Sequence, residues 1–329
     1  MISSNFNHFQ NLFISSSTNP YLNLASELFL FQNNKKNQKI LFIWRNEPVV
    51  VIGKHQNPFK ECNLDFMKEK NIKLARRITG GGAVYQDLGN TCWTFISNKL
   101  ETKINNQILC KSLLDLNINC NVSGRNDLEV DGKKISGAAF RKTNENSIHH
   151  GTMLINVNLN NLERALNVDK SKLSYKGVDS VRSRVINLNE LNTKINHKIF
   201  CDSLIKNFKD EYTCTKIRYL SEKELKENEC IRKIYNNLRA KEWVYYKSFK
   251  KFQKIASKKF DFGLFELTYN TELSSPYIFV YSDCLYTSLI HDFEKYINNT
   301  NSSFESQKLP ILKKYFSILT DWFNNLPIN

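Results

Sequence analysis

Apolar positions along the chain fall into short blocks, and their spacing switches between the helical and the strand period. Asn19-Pro20 predicts a helix start, with Asn as N-cap and Pro at the first helical position. Leu24, Ala25, Leu28 and Phe29 then continue at helical spacing to about Phe31. Two runs of β-branched and aromatic residues, Ile40–Trp44 and Val49–Ile52, flank Arg45-Asn46-Glu47-Pro48 and predict a hairpin. Asn63–Lys70 reads as a helix, Thr91–Ser97 as a strand, Asn106–Leu116 as a helix and Cys120–Ser123 as a short strand.

The densest β region follows. Asp131-Gly132, between Leu128–Val130 and Ile135–Lys142, is the strongest hairpin signal in the chain. A turn at Asn144–Ser147 leads into a strand over His149–Val157, and Leu162–Val168 and Lys198–Phe208 read as helices. Helices interleaved with antiparallel hairpins indicate an α+β fold, a mixed and mainly antiparallel sheet flanked by helices, rather than a doubly wound parallel sheet. From Glu222 the composition turns Lys-rich, and Phe252–Asp261 mixes lysines with aromatics. Phe262–Asn270 and Pro276–Ser282 alternate as two strands, and Leu285–Ile297 and Leu312–Phe323 are helical. This pattern predicts a large domain over residues 1–245 and a small α+β accessory domain over 246–329.

Composition narrows the classes. Of the 329 residues, 41% are hydrophobic and 12% aromatic, enough to bury a core, which excludes wholesale disorder. No apolar run approaches the ~20 residues of a membrane span. Against 32 Asp and Glu stand 47 Lys and Arg, a formal charge of +15 that asks for nucleic acid, an anionic surface, or phosphate and acidic partners. Lysines and aromatics interleave in Tyr245–Phe260, as on a surface that binds nucleic acid strands; a solvated lysine face explains the same letters. The eight cysteines are scattered with no C-x-x-C pair, which argues against a zinc site or a disulfide scaffold and for reduced, buried thiols. The N-terminal stretch is Ser- and Asn-rich without acid, but no Lys or Arg precedes Lys35, so it reads as neither a secretory signal nor a clear transit peptide.

Four segments carry candidate chemistry. In Arg76–Tyr85, three successive glycines (Gly80, Gly81, Gly82) strip away every Cβ, so backbone N–H groups can approach an anion, and two arginines just upstream offer bidentate donors. The same letters fit a turn beside a basic surface; the spacing fits neither a P-loop nor a dinucleotide fingerprint. In Lys133–Gly137, successive strand residues point to opposite faces, which puts Lys134, Ser136 and Ala138 on one side and Lys133 on the other. Nearby Asp127 suits a divalent cation accompanying phosphates, or equally a turn. His149-His150 on a strand diverge and make a poor chelating pair, and Lys176–Arg184 is a polar, basic loop able to cover a charged ligand.

Taken in order, these segments resemble the lipoate–protein ligases. The likeness runs through Arg76–Asn90 (RRITGGGAVYQDLGN), Gly124–Leu128 (GRNDL), Lys134–Gly137 (KISG), His149–Thr152 (HHGT) and Lys176–Arg184 (KGVDSVRSR), and covers about residues 20–190. The tail Lys247–Leu285 is similar to the family's small accessory domain. Ile52–Leu64 (IGKHQNPFKECNL) looks more like the mitochondrial members, which implies a mitochondrial and otherwise a cytoplasmic location.

The resemblance implies a fold shared with biotin–protein ligases, and a reaction in which lipoate is adenylated with Mg2+-ATP and the lipoyl group passes to a lysine of an acidic lipoyl domain. The acceptors it implies are the glycine-cleavage H protein or the acyltransferase subunits of 2-oxoacid dehydrogenases, with no nucleic acid and no membrane as partner. Lys134 matches the lysine that bridges carboxylate and phosphate; Arg77, Gly82, Ala83, Val84 and Tyr85 match nucleotide-contacting positions. Gly80, Gly81, Gly82, Ala138 and His149 match positions around the acyl group, and Asp127 matches a position assisting the metal. A transferase using pre-formed lipoyl-AMP or another acyl donor is the competing enzyme class. Ala138 after Ser136-Gly137, with no Cys in these motifs, counts against the cysteine mechanism of octanoyltransferases.

Overall fold

The first helix opens as its sequence requires: the Asn19 side chain accepts hydrogen bonds from the backbone N–H groups of Tyr21 and Leu22, and Pro20 takes the first helical position. The computed structural model describes residues 12–124, 127–167, 184–212, 217–248, 251–271, 277–299 and 309–327. Its elements begin with β1 (Leu12–Ser15), α1 (Pro20–Gln32), β2 (Ile40–Trp44), β3 (Val49–Ile52), α2 (Pro58–Glu61), α3 (Leu64–Glu69) and β4 (Lys73–Arg76). Next come β5 (Val84–Gln86), β6 (Asn90–Ser97), α4 (Thr102–Leu114), β7 (Asn121–Ser123), β8 (Asp127–Val130), β9 (Lys133–Lys142) and β10 (Ser147–Leu154). Helices α5 (Leu159–Ala165), α6 (Leu188–Leu191) and α7 (His197–Tyr212) lead to β11 (Ile217–Leu220), α8 (Glu222–Glu227), α9 (Glu229–Arg239) and α10 (Lys241–Val244). The chain closes with β12 (Phe252–Phe260), β13 (Gly263–Asn270), β14 (Ile278–Ser282), α11 (Thr287–Ile297) and α12 (Pro310–Asn324).

Eight strands form the main sheet, in the order β11-β1-β2-β6-β10-β9-β8-β7. Only β1 pairs in parallel, with β11 and β2; the other pairings are antiparallel, so the sheet is mixed and mainly antiparallel, as the α+β reading expects. At the β8–β9 turn, Asp131 and Gly132 both take positive φ (49° and 74°), the geometry that a two-residue hairpin favours. One face of the sheet packs on α4 and α7 through a core that includes Trp93, Phe95, Leu109, Phe200 and Phe208. The other face packs on α1 and α9 through Phe42, Trp44, Leu24, Ile148 and Ile231.

The anticipated hairpin between Ile40–Trp44 and Val49–Ile52 is corrected. Both segments are strands with the expected bounds, but β2 lies in the main sheet while β3 is the centre of a second sheet, β4-β3-β5. The linker is buried at Asn46, whose side chain accepts from Asn23 Nδ2 at 2.9 Å and donates to Gln86 Oε1 at 2.7 Å, and the Glu47 N–H donates to the Thr18 carbonyl. These bonds satisfy the linker's polar groups outside a hairpin and carry the chain from one sheet to the next.

Strands β12, β13 and β14 form a third sheet, antiparallel throughout, whose core with α11 and α12 includes Phe265, Leu267, Leu289 and Phe293. The lysine-and-aromatic stretch divides across β12: Lys254, Lys258 and Lys259 are exposed, whereas Phe260 stacks on Phe262 at 5.2 Å against that core. The other side of this sheet meets the rest of the chain, where Lys60 of α2 pairs with the buried carboxylate of Glu266.

Arg76, at the end of β4, holds these parts together. Its guanidinium is fully buried (0% exposed) and donates to the carbonyls of Gly53, Lys54 and Gln56 on one side and of Trp243 and Val244 on the other, and to Ser248 Oγ. A buried cation is costly unless its donors are satisfied, and carbonyl dipoles supply that here. Burial alone pulls the guanidinium down to about 10, which leaves it charged at neutral pH. Arg76→Met removes the donor of five carbonyls, three of them in fully buried bonds, and is expected to destabilise the protein by roughly 3 kcal/mol or more, read as a fall in the urea unfolding midpoint.

Candidate active site

A cavity of about 120 Å³ lies where β9 and β10 of the main sheet face β3, β5 and α1. Leu24, Trp44, Val51 and Val84 contribute apolar wall, and Arg77 and Lys134 are cationic side chains at it among the described residues. A ligand that joins an apolar part to an anion matches this combination.

The glycine turn is shaped by Arg77, which follows Arg76 and points to the other side of the strand. Its Nε donates to Thr79 Oγ1 (2.9 Å) and Gly80 O (3.2 Å), Nη1 to Val51 O (3.0 Å), and Nη2 to Gly80 O (2.7 Å) and Gly82 O (2.8 Å). Burial pulls this guanidinium too down to about 10. The arginine expected at the nucleotide borders the cavity, and its bonds to Val51, Thr79, Gly80 and Gly82 fix the shape of the turn.

Within the turn the three glycines differ. Gly81 sits at φ 89°, where side chains are disfavoured, and its N–H donates to the Cys284 carbonyl at 3.3 Å. A Cβ on Gly80 would collide with that same carbonyl. Gly80 and Gly81 thus meet the loop after β14, and only Gly82 lines the cavity, together with Ala83 and Val84. Tyr85 turns its ring the other way, into the core beneath the second sheet, with its hydroxyl 3.4 Å from Asn161 Nδ2, so only its backbone faces the turn's side of β5.

Lys134 reaches the cavity through a register shift. Opposite β8, Asp127 pairs with Gly137 and Leu128 with Ser136, but Glu129 pairs with Lys134, so Ile135 is an extra residue bulged out of the ladder. The bulge reverses the alternation. Lys134 therefore shares a face with Gly137 and Asp127, while Ser136 opposes Leu128 and Met153 on the face toward the first core. The anticipated grouping of Lys134 with Ser136 and Ala138 is thereby corrected; Ala138 borders the cavity, yet packs against that core. The ammonium of Lys134 lies 2.8 Å from Asp127 Oδ1 and directly over the hydrogen of Gly137.

The histidine pair separates as strand neighbours must. His149 turns away from the cavity: its ring meets Trp93 edge-on at 5.1 Å, its Nδ1 is 3.3 Å from Asn105 Nδ2, and burial pulls it down to about 3, which keeps it neutral. His149 therefore does not line this cavity, and its strand neighbour His150 does. His150 Nδ1 is 2.7 Å from Glu27 Oε1, which also accepts from Thr94 Oγ1 at 2.6 Å, and His150 Nε2 is 2.8 Å from Thr79 Oγ1. With the ring proton on Nδ1, every bond points the same way: Arg77 to Thr79, Thr79 to His150, His150 to Glu27.

Glu27 was not anticipated from sequence, although it is the one charged residue in α1 and is 1% exposed. Trp44 and Leu24 were also missed, since nothing in an apolar run marks the residue that will border a cavity. Arg125, Asn126 and residues 176–183 of the basic loop lie outside the described residues. Among the described residues no three His, Cys, Asp or Glu gather into a metal cage, and Asp127 is paired with Lys134 at 2.8 Å.

The turn separates two kinds of glycine. A Cβ at Gly81 would meet Arg77 Nη2 at 2.9 Å in a backbone conformation that resists it, while one at Gly82 would meet nothing within 4 Å. Gly81→Ala is expected to cost about 1–3 kcal/mol and Gly82→Ala to be near neutral, as read by thermal unfolding. Equal midpoints for the two variants would contradict this placement.

A family model for the lipoyl protein ligase A/B catalytic domain matches residues 19–209. Lipoate-protein ligase A of Blochmanniella floridana is 40% identical over 266 residues, which is 79% of this chain and 79% of that protein. Among solved structures, LipL1 of P. falciparum in complex with lipoate is 34% identical with a TM-score of 0.79, covering 95% of this chain and 98% of that one. A bi-partite lipoate protein ligase of Thermoplasma acidophilum, described with its E2 lipoyl domain, is 27% identical with a TM-score of 0.62, covering 72% and 97%. With a catalytic-domain match over more than half its length, and a solved relative aligned along nearly all of it, the chain belongs to the lipoate–protein ligase family.

Proposed function

We infer that this protein joins the carboxylate of lipoate to the α-phosphate of ATP and then passes the lipoyl group to a lysine of a lipoyl domain. The observation that carries this reading is Lys134: a cation brought into the cavity by a β-bulge, seated over a residue without a side chain and paired with Asp127. A carboxylate is a poor electrophile, and a mixed anhydride with AMP makes it a good one. Forming it requires two anions to meet, and a cation placed between them lowers that barrier by several kcal/mol. Lys134 exchanges its bond to Asp127 for the ligand's oxygens, holds both, and takes no covalent part.

Asp127 fits a Mg2+ ion, because this cation is usually held by one or two carboxylates together with substrate phosphates. When bound, the ion would neutralise phosphate charge. Arg77, through its bonds to Gly80 and Gly82, keeps the turn in register with the reacting carboxylate. The attacking amine belongs to the acceptor, so no nucleophile of this chain is needed. No cysteine lines the cavity among the described residues, which supports the ligase over a cysteine-based transferase. The acceptor reading draws on the Thermoplasma acidophilum ligase described with its E2 lipoyl domain.

Lipoate-dependent exchange of pyrophosphate into ATP tests the activation step. Absence of exchange, with transfer from synthetic lipoyl-AMP intact, would leave a transferase. Lys134→Met is expected to lower exchange by about 100-fold or more with the fold retained, and Lys133→Ala, at an exposed position, to leave it nearly unchanged. Gly137→Ala is the subtler variant. Its methyl would lie 2.7 Å from Lys134 Cε and Nζ, so it is expected to push the ammonium aside and cut exchange while the thermal midpoint barely moves.

A further inference from the structure

We propose that Cys110 and Cys120 form a reversible dithiol–disulfide site that hydroperoxides oxidise. Their sulfurs lie 3.2 Å apart, the Cys120 thiol donating to the Cys110 sulfur. All the described cysteines are free thiols; Cys110 is half-buried and so reachable, while Cys120 is buried behind it. No other described pair of cysteine sulfurs is recorded in contact.

The chain between them is built to hold the two sulfurs together. Helix α4 ends in a reversal in which Asn117 takes φ 59° and the N–H of Ile118 returns to the Leu113 carbonyl at 2.9 Å. The reversal is fastened from outside. Asn192 donates to the Leu116 carbonyl at 3.1 Å, and Lys206 and Asn207 of α7 donate to Asp115 at 2.8 and 3.0 Å. Two thiols kept in contact by a closed turn need only a small approach to reach the ~2.05 Å of a disulfide bond.

Their environments are also unequal. The hydrogen bond from Cys120 holds the Cys110 thiol below its ordinary range and raises that of Cys120. This asymmetry suits a reactive first sulfur and a resolving second one.

The chemistry balances in two steps. The Cys110 thiolate attacks the terminal oxygen of the peroxide, an S–O bond forms as the O–O bond breaks, and the leaving hydroxide takes a proton to become water. The Cys120 sulfur then attacks the resulting sulfenic acid. An S–S bond forms, the S–O bond breaks, and the departing hydroxide leaves as water with the Cys120 proton. Two thiols lose two electrons, and one hydrogen peroxide becomes two waters. In a reducing compartment such a pair rests as the dithiol and closes only under oxidant. The closed form ties the end of α4 to β7, the edge strand that pairs with β8 and so with Asp127.

The test uses the full chain with Cys214→Ser and Cys230→Ser, which removes a thiol outside the described residues and the exposed one. Hydrogen peroxide treatment is expected to give one linked peptide pair holding Cys110 and Cys120, a loss of two hydrogen atoms, a raised thermal midpoint, and full reversal by dithiothreitol. With Cys120→Ser added, Cys110 is expected to gain oxygen and no link to form. A wild-type Cys110 that runs on to sulfinic acid beside a free Cys120 would overturn the proposal. So would a link to another cysteine, or two unchanged thiols under peroxide that oxidises free cysteine.

Discussion

Two buried guanidinium groups, side by side in sequence and back to back in space, set the terms for the rest of the molecule. Arg76 and Arg77 leave the same strand end in opposite directions, and each is satisfied mostly by backbone carbonyls, with a single hydroxyl besides. Carbonyl oxygens offer a cation a dipole but no counter-charge, so a cage of them is stable only if several converge and water stays out. That requirement is geometric. It forces the loop after β3, the segment around Val244 and the glycine turn into fixed relation, because moving any of them strands a charge in a dry interior.

The cavity inherits its precision from that constraint and its chemistry from a lapse in strand regularity. A perfectly alternating β9 would send Lys134 toward the same face as Ser136, which lies against the apolar core. The bulge at Ile135 breaks the alternation once, at the position where it brings an ammonium beside a carboxylate instead. The neighbouring strand keeps strict alternation, so His150 joins the cavity and His149 the core. The cavity wall is thus made from one regular strand and one irregular one, and the irregular one supplies the ammonium.

How much of this was legible depends on whether the signal was local. The α1 cap, the Asp131-Gly132 turn and the bounds of β2 and β3 follow from short-range chemistry and read correctly. The pairing of β2 with β3 did not, because the decision lies in Asn46 bonding to Asn23 and Gln86, tens of residues away on either side. The second sheet was missed for a related reason: Lys73–Arg76 carries two basic residues in four and looks nothing like a buried strand until the cage around Arg76 is seen. Alternation told that His149 and His150 diverge but not which of them borders the cavity. In the same way, the sequence placed two arginines beside a glycine turn without revealing that Arg77 would bond to the turn's own carbonyls.

The Arg76 cage has a bearing on how the molecule is made. Its bonds to Val244 span 168 positions along the chain, and the Gly81–Cys284 bond spans still more. Contacts of such separation carry a large loop-closure cost and form late, after local helices and hairpins are in place. The glycine turn is translated early, yet it acquires its final shape only when the last strands have been synthesised and docked. A nascent chain carries every residue of the cavity long before it carries the cavity.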